Sequence, residues 1–241
     1  MNNIDATFCI NCDDAELGQI PWQLSLQTTS HFCGGSLLSA SYFSTAAHCK
    51  KSSYYAIAGT IDNQAGEKIE ANVFIAHPRY NPFKIINDYG VGKVDTPFTL
   101  NEYAQPIKLV DPSSVRPSDG HPLQTSGYGY YEMYSNGRPL PIVSRYLKWT
   151  DMEYVSVKKC QNVWVEQTID TSVICADGPS VTTCSGDSGG PLVIEERGES
   201  RLIGSTSWGH VYCKEDGFPQ GFANIQWPAF NKWVRQNAKI W

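Results

Sequence analysis

No run of 18 apolar residues occurs anywhere in the chain, so nothing in it reads as a membrane-spanning helix. A basic surplus is missing too: 19 Lys and Arg stand against 24 Asp and Glu, a formal charge of −5. Nucleic acid demands a concentrated positive surface and is excluded as an expected partner. No Asn-x-Ser/Thr sequon is present, so no N-linked glycan is expected. No repeat, low-complexity tract or linker divides the 241 residues, and one domain over 1–241 is expected. The opening MNNIDATFC has no apolar signal core, so a natural signal is read as already removed, or the first residues as foreign. The acids from Asp62 to Glu70 lack calcium-ligand spacing, and neither metal nor cofactor is expected.

What is present is a globular composition, 41% hydrophobic and 18% charged, enough for a sizeable core. The 8 cysteines stand at 9, 12, 33, 49, 160, 175, 184 and 213. They are even in number and lack paired metal-knuckle spacing, which favours disulfides and therefore a secreted protein. Cys9 and Cys12 form a C-x-x-C pair whose local or intermolecular disulfide is favoured over a redox or metal role.

Short apolar or alternating runs recur, such as Gln23–Gln27, Val73–Ala76, Pro191–Ile194 and Leu202–Gly204. Turn signals punctuate them at Asp62-Asn63, Pro112-Ser113-Ser114, Asn136-Gly137 and Asp177-Gly178-Pro179. That pattern predicts an all-β sandwich or barrel. After Pro228, the residues Phe230, Trp233, Val234 and Trp241 fall near helical spacing, which predicts a C-terminal helix over about 228–240. The turn-rich stretch Pro106–Pro122 is read as the join between two β halves.

Three segments carry chemistry: Thr45-Ala46-Ala47-His48-Cys49, Asn87-Asp88, and Cys184-Ser185-Gly186-Asp187-Ser188-Gly189-Gly190-Pro191. A serine hydroxyl is a poor nucleophile until a base takes its proton. His48 is a suitable base, and Asp88 can fix its tautomer. Glycines around Ser188 let backbone N–H groups approach an oxyanion. Each residue alone is weak evidence. The order His, Asp, Ser, separated by 40 and then 100 residues, is hard to reach by accident.

With Pro21-Trp22-Gln23-Leu24-Ser25-Leu26, His31-Phe32-Cys33-Gly34-Gly35-Ser36-Leu37, Ser126-Gly127-Tyr128-Gly129 and Ser207-Trp208-Gly209, nearly the whole chain resembles the chymotrypsin-like serine proteases. SLQTTSHFCGG and ANVFIAHPRYN are most similar to mite digestive proteases of the group 3 allergen type, or their inactivated scabies-mite paralogues. The resemblance implies two six-stranded antiparallel β-barrels, about 15–110 and 123–226, with the site between them. It implies disulfides Cys33–Cys49, Cys160–Cys175 and Cys184–Cys213. It makes His48 the base, Asp88 its orienter and Ser188 the nucleophile. Gly186 and Ser188 would supply the oxyanion amides, and Ser207, Trp208 and Gly209 the wall that pairs with an extended substrate. His31, His77, His121 and His210 match no catalytic role and are read as surface or loop residues.

The chain also departs from that family. Active members carry Ile-Val-Gly-Gly, whose freed ammonium pairs with the Asp before the nucleophile, here Asp187. Counting back from Pro21-Trp22 puts Cys9-Ile10-Asn11-Cys12 there, after Phe8. A buried, unpaired Asp187 is costly, so its loop is expected to rearrange and its amides to converge poorly. The pocket base maps to Thr182 where trypsins have Asp, and Gln220 or Tyr212 is expected to fill the pocket. Gly90 and Gly92 are expected to weaken the strand after Asp88. The expected protein is a secreted, monomeric protease homologue that binds protein or peptide targets, with activity low or absent. The alternative is an active endopeptidase of non-tryptic specificity. An allergen-like structural role has no positive sign in the sequence.

Overall fold

The computed structural model describes residues 7–8, 12–134, 136, 138–178, 183–213 and 217–240. The chain folds as two barrel-like β-sheets and little helix. The first sheet is built from β1 (Gln23–Gln27), β2 (His31–Leu37), β3 (Tyr42–Thr45), β4 (Tyr54–Ala58), β5 (Glu67–Ala71), β6 (Val73–Ala76) and β7 (Gly90–Lys93). They pair antiparallel in the order β5-β4-β1-β2-β3-β7-β6. Only Asn72 separates β5 from β6, so the 7 segments amount to six strands, one of them interrupted.

The second sheet holds β8 (Lys108–Leu109), β9 (Pro122–Gly127), β10 (Lys148–Val155), β11 (Val173–Asp177), β12 (Pro191–Glu196), β13 (Glu199–Trp208) and β14 (Gln220–Asn224). Its six long strands run β13-β12-β9-β10-β11-β14, and β14 pairs back onto β13, which closes the ring. The two-residue β8 and Asp13–Asp14 add at its margins. Closure removes the exposed edges that an open sheet of this length would present.

Burial explains why these runs become strands. In β1, Leu24 and Leu26 point into the first core with Leu37, Phe43, Tyr54 and Ile69. The second core gathers Leu123, Met152, Ile174, Leu192, Ile203 and Phe222. Trp22 packs against both and so sits at the seam. Helix α1 (Val157–Val163) follows β10, and α2 (Pro228–Ala238) follows β14. Pro228 opens α2, where its missing N–H is not needed, and Lys239 closes it in the left-handed conformation. Phe230 and Val234 bury that helix on the second core, and His77 packs edge-on to Phe230 and Trp233. Among the described residues no helix is long and apolar enough to cross a membrane.

The strand after Asp88 is not weakened as its glycines suggested. β7 is paired on both sides, to β3 and β6. A Cβ on Gly92 would stand 2.0 Å from the Phe43 ring, and one on Gly90 2.6 Å from the Phe74 ring. The glycines make room for two aromatic rings, which supply the packing the strand lacks.

Candidate active site

The site assembles at the seam of the two sheets. His48 sits in the 3-10 turn Ala47–Cys49 that follows β3, and the Cys33–Cys49 disulfide ties that turn to β2. Asn87 takes φ of 54°, a left-handed conformation that Asn tolerates, and its N–H is held by Ser172 Oγ at 3.0 Å. That turn sends Asp88 inward, where its side chain is 1% exposed. Tyr89 anchors the next residue, its hydroxyl donating to Ala223 O at 2.7 Å.

Asp88 receives three donors. His48 N–H gives to Oδ1 at 3.0 Å, His48 Nδ1 to Oδ2 at 2.7 Å, and Ser207 Oγ to Oδ2 at 2.6 Å. A carboxylate oxygen can only accept, so Nδ1 carries the imidazole proton and Nε2 keeps its lone pair. That is the tautomer a base needs. Ser207 was expected only in the substrate wall; its hydroxyl faces the carboxylate.

Ser188 is brought alongside by backbone contacts. Its carbonyl accepts Gly34 N–H at 2.7 Å and lies 3.6 Å from Cys49 Sγ, one residue after the base. Among the described residues the partner of the His48 side chain is Asp88 and not the Ser188 hydroxyl; contacts of this kind are often long before substrate binds. Gly189 adopts φ of 80°, and a Cβ there would meet Thr45 Oγ1 at 2.1 Å and Gly34 O at 2.7 Å. Only glycine lets the nucleophile turn pass that close to the first sheet.

Asp187 folds inward over Gly127 and Gly129, where no Cβ would fit. One carboxylate oxygen accepts Gly129 N–H and the other Cys184 N–H, both at 2.8 Å. These two amides satisfy the group, and no described cation pairs with it. Burial pushes its carboxyl up to about 6, and the two amides pull the other way. Gly186 takes φ of 102°. Among the described residues the Gly186 and Ser188 amides have no hydrogen-bond partner, so both stay available to an oxyanion. An unpaired carboxylate was the ground for expecting poor convergence; here two backbone N–H groups bond Asp187.

Of the two side chains expected to fill the primary pocket, one is buried and the other exposed. Gln220 is 1% exposed and lines a cleft beside Ser188. Its Nε2 donates to Cys213 O at 2.9 Å, and its Oε1 reaches so close to Gly209 that a Cβ there would stand 1.6 Å away. The cleft left above it has about 300 Å³ and is lined by Ser188, Ser207, Trp208, Gly209 and Gln220 among others. Tyr212 stays outside: it is 36% exposed, with its ring 5.3 Å from that of His210. Trp164 packs edge-on against Trp208 and donates to Pro219 O at 2.7 Å, which stiffens the wall. Thr182 and Cys9 lie outside the described residues.

Cys160–Cys175 and Cys184–Cys213 are bonded, as is Cys33–Cys49, and Cys12 is disulfide-bonded as well. Sγ of Cys33 and Cys49 flank His48, but joined to each other they offer no thiolate to a metal. His31 and His77 are not surface residues. Both are 6% exposed, and burial lowers each to about 4. His31 is placed by alternation on β2, and His77 by its contacts with α2.

Comparison with known proteins agrees with this geometry. Residues 9–234 match the trypsin family. The chain is 32% identical to "Trypsin" of Sarcophaga bullata over 248 aligned positions, covering 99% of this chain and 91% of that protein. It is 30% identical to "Trypsin epsilon" of Drosophila erecta over 227 positions, covering 91% of this chain and 83% of that one. A match of this extent, laid over two β-barrels with a His–Asp–Ser grouping at their seam, shows that the chain is a member of the trypsin family of serine proteases.

Proposed function

We propose that this protein is a secreted, monomeric trypsin-family homologue that binds extended protein or peptide segments in its cleft and turns them over poorly. The observation that carries the reading is Gln220, fixed to Cys213 O and pressed against Gly209. A large or basic residue before the scissile bond would have to displace that amide and break its bond to Cys213 O. Losing such a buried hydrogen bond costs about 1–3 kcal/mol. Binding energy is thereby taken from the step that orients the reacting carbonyl, and turnover falls with it. The Ser207–Gly209 segment still offers an edge to which an extended chain can add as a strand.

A second reading has its own support. The amides of Gly186 and Ser188 are free and the imidazole tautomer is correct, which favours hydrolysis after a residue with a very small side chain. One comparison separates the two. Binding of peptide libraries to Ser188→Ala reads the cleft without chemistry, and hydrolysis of the same libraries by the parent chain reads turnover. Binding with negligible Ser188-dependent cleavage supports the first reading. Efficient cleavage after Gly or Ala supports the second. No binding of any peptide or protein by Ser188→Ala would sink the first.

A further inference from the structure

We propose that Tyr89 is a positioning residue for the reaction: with the Asn87 peptide it clasps the turn that carries Asp88 to one patch of the second barrel, and so holds the carboxylate in line with His48. Asp88 stands at the centre of a tight turn, closed by the Tyr89 N–H donating to Asn87 O at 2.8 Å. Its direction is therefore set by the peptides on either side. The Asn87 N–H donates to Ser172 Oγ at 3.0 Å, and the Tyr89 hydroxyl donates to Ala223 O at 2.7 Å. A carbonyl oxygen only accepts, so the phenol is the donor in the second bond. Both anchors belong to the second barrel, whereas Asp88 lies between β6 and β7 of the first.

The patch that receives them is itself sewn together. Val173 and Ala223 are directly paired between β11 and β14. Asn224 donates its N–H to Ser172 O at 2.9 Å and its Nδ2 to Thr171 O at 3.0 Å. The Ser172 hydroxyl donates to Asp170 Oδ1 at 2.5 Å, which leaves its lone pairs for the Asn87 N–H. The Tyr89 ring is fully buried and lies edge-on to Phe230 of α2 at 4.6 Å. Burial and the nearby Asp88 charge both push the phenol well above its ordinary value, so the hydroxyl stays a donor.

The rest of the strand cannot take over this task. In Tyr89-Gly90-Val91-Gly92 the glycines carry no side chain, so Tyr89 and Val91 are what fasten the chain leaving Asp88 to the second core. His48 and Ser207 hold the carboxylate itself, but not the backbone behind it. A carboxylate turned away from Nδ1 no longer fixes the imidazole proton there. The proton can then sit on Nε2, where it removes the lone pair that a base needs. Anchoring the turn on both sides of Asp88 closes that route. The inference concerns the alignment of Asp88 with His48 and stands whether or not Gln220 limits peptide turnover.

The experiment has two readouts, taken on variants first checked for folding by circular dichroism. One is the downfield proton NMR signal of His48 Nδ1–H, which reports the bond to Asp88 without any chemistry at Ser188. The other is the second-order rate at which a small alkyl fluorophosphonate, with no side chain for the primary pocket, modifies Ser188. Tyr89→Phe keeps the ring and removes only the hydroxyl. It is expected to move the signal upfield and to slow modification about 10-fold, the effect of one lost hydrogen bond. Ser172→Ala, at the other end of the clasp, should do the same. Ser172→Thr keeps the hydroxyl and should return to within about threefold of the parent, a rescue that packing alone would not give. A folded Tyr89→Phe with the parent's signal and a rate within about threefold of it would overturn the proposal, as would Ser172→Thr being as slow as Ser172→Ala. Should the parent not react, the signal alone decides; a parent with neither signal nor reaction would also overturn the proposal, since no aligned pair would exist to be positioned. Should Tyr89→Phe fail to fold, the two Ser172 variants decide, and equal signals for both would refute the clasp.

Discussion

Replacing Gln220 by Gly removes the side chain proposed to floor the primary pocket, and its consequences can be worked from the structure. The variant loses the bond from Nε2 to Cys213 O and puts a flexible residue into β14. Together these should cost about 2 kcal/mol of stability, roughly half from each. In return the space against Gly209 opens. A Leu or Phe side chain that buries itself there gains about 1.5–3 kcal/mol, or about 10–100-fold in rate if the gain appears in the transition state. The assay is kcat/KM on matched peptide amides that differ only in the residue before the scissile bond: Gly, Ala, Leu, Phe and Arg. Gln220→Gly should raise the Leu and Phe values by about 10–100-fold and leave the Gly value within about threefold. An equal rise for every peptide would mean that the change acts on the catalytic groups and not on the pocket. No rise for any of them, in a folded variant, would refute the reasoning that Gln220 limits turnover.

Other consequences follow from single contacts. Ser207→Ala strips one of three donors from Asp88 and should slow fluorophosphonate modification of Ser188 about 10-fold without displacing His48 Nδ1, as read from labelling time courses. Gly92→Ala drives a methyl into the Phe43 ring at 2.0 Å and should lower the unfolding midpoint by at least about 2 °C, from an overpacking cost of about 1–3 kcal/mol. The buried pair of titrating groups gives opposite pH effects. Asp187 is raised to about 6, so its contribution is greatest at low pH and is lost as pH rises through that value. His31 is lowered to about 4, so its contribution is present above the ordinary imidazole value and is lost as pH falls toward 4. His31→Gln removes only the second, so between pH 7 and pH 4.5 denaturant titrations should show the variant gaining about 2 kcal/mol relative to the parent.

Much of this was legible in the residues. The short runs with turn signals marked the strands, because a closed sheet of short strands needs a turn at each end. The spacing of Phe230, Trp233 and Val234 after Pro228 marked α2. His48, Asp88 and Ser188 stood out by residue type and neighbouring glycines. What escaped was set by tertiary contact. Gln23, Ser25 and Gln27 alternate with Leu24 and Leu26, a pattern that reads as one face in solvent, yet every residue of β1 is buried. Its polar face meets the second barrel, where Ser126 Oγ donates to Gln23 Oε1, and that is why it and the buried His31 have no local signature. Gly90 and Gly92 looked like weakness because the rings of Phe43 and Phe74, which fill their space, come from other strands. Asp187 looked unpaired because its partners are backbone amides, which no sequence pattern displays. Tyr212 and Gln220 were equal candidates for the pocket until side-chain direction separated them.

The most direct test of the central claim is a complete profile of Ser188-dependent cleavage against the residue preceding the scissile bond, measured for the parent chain beside Ser188→Ala. The account predicts no cleavage above the Ser188→Ala background after Arg, Lys, Phe or Leu, with any turnover confined to Gly or Ala. Efficient cleavage after Arg or Lys by the unaltered chain would contradict it, because Gln220 would then not be the floor of the pocket.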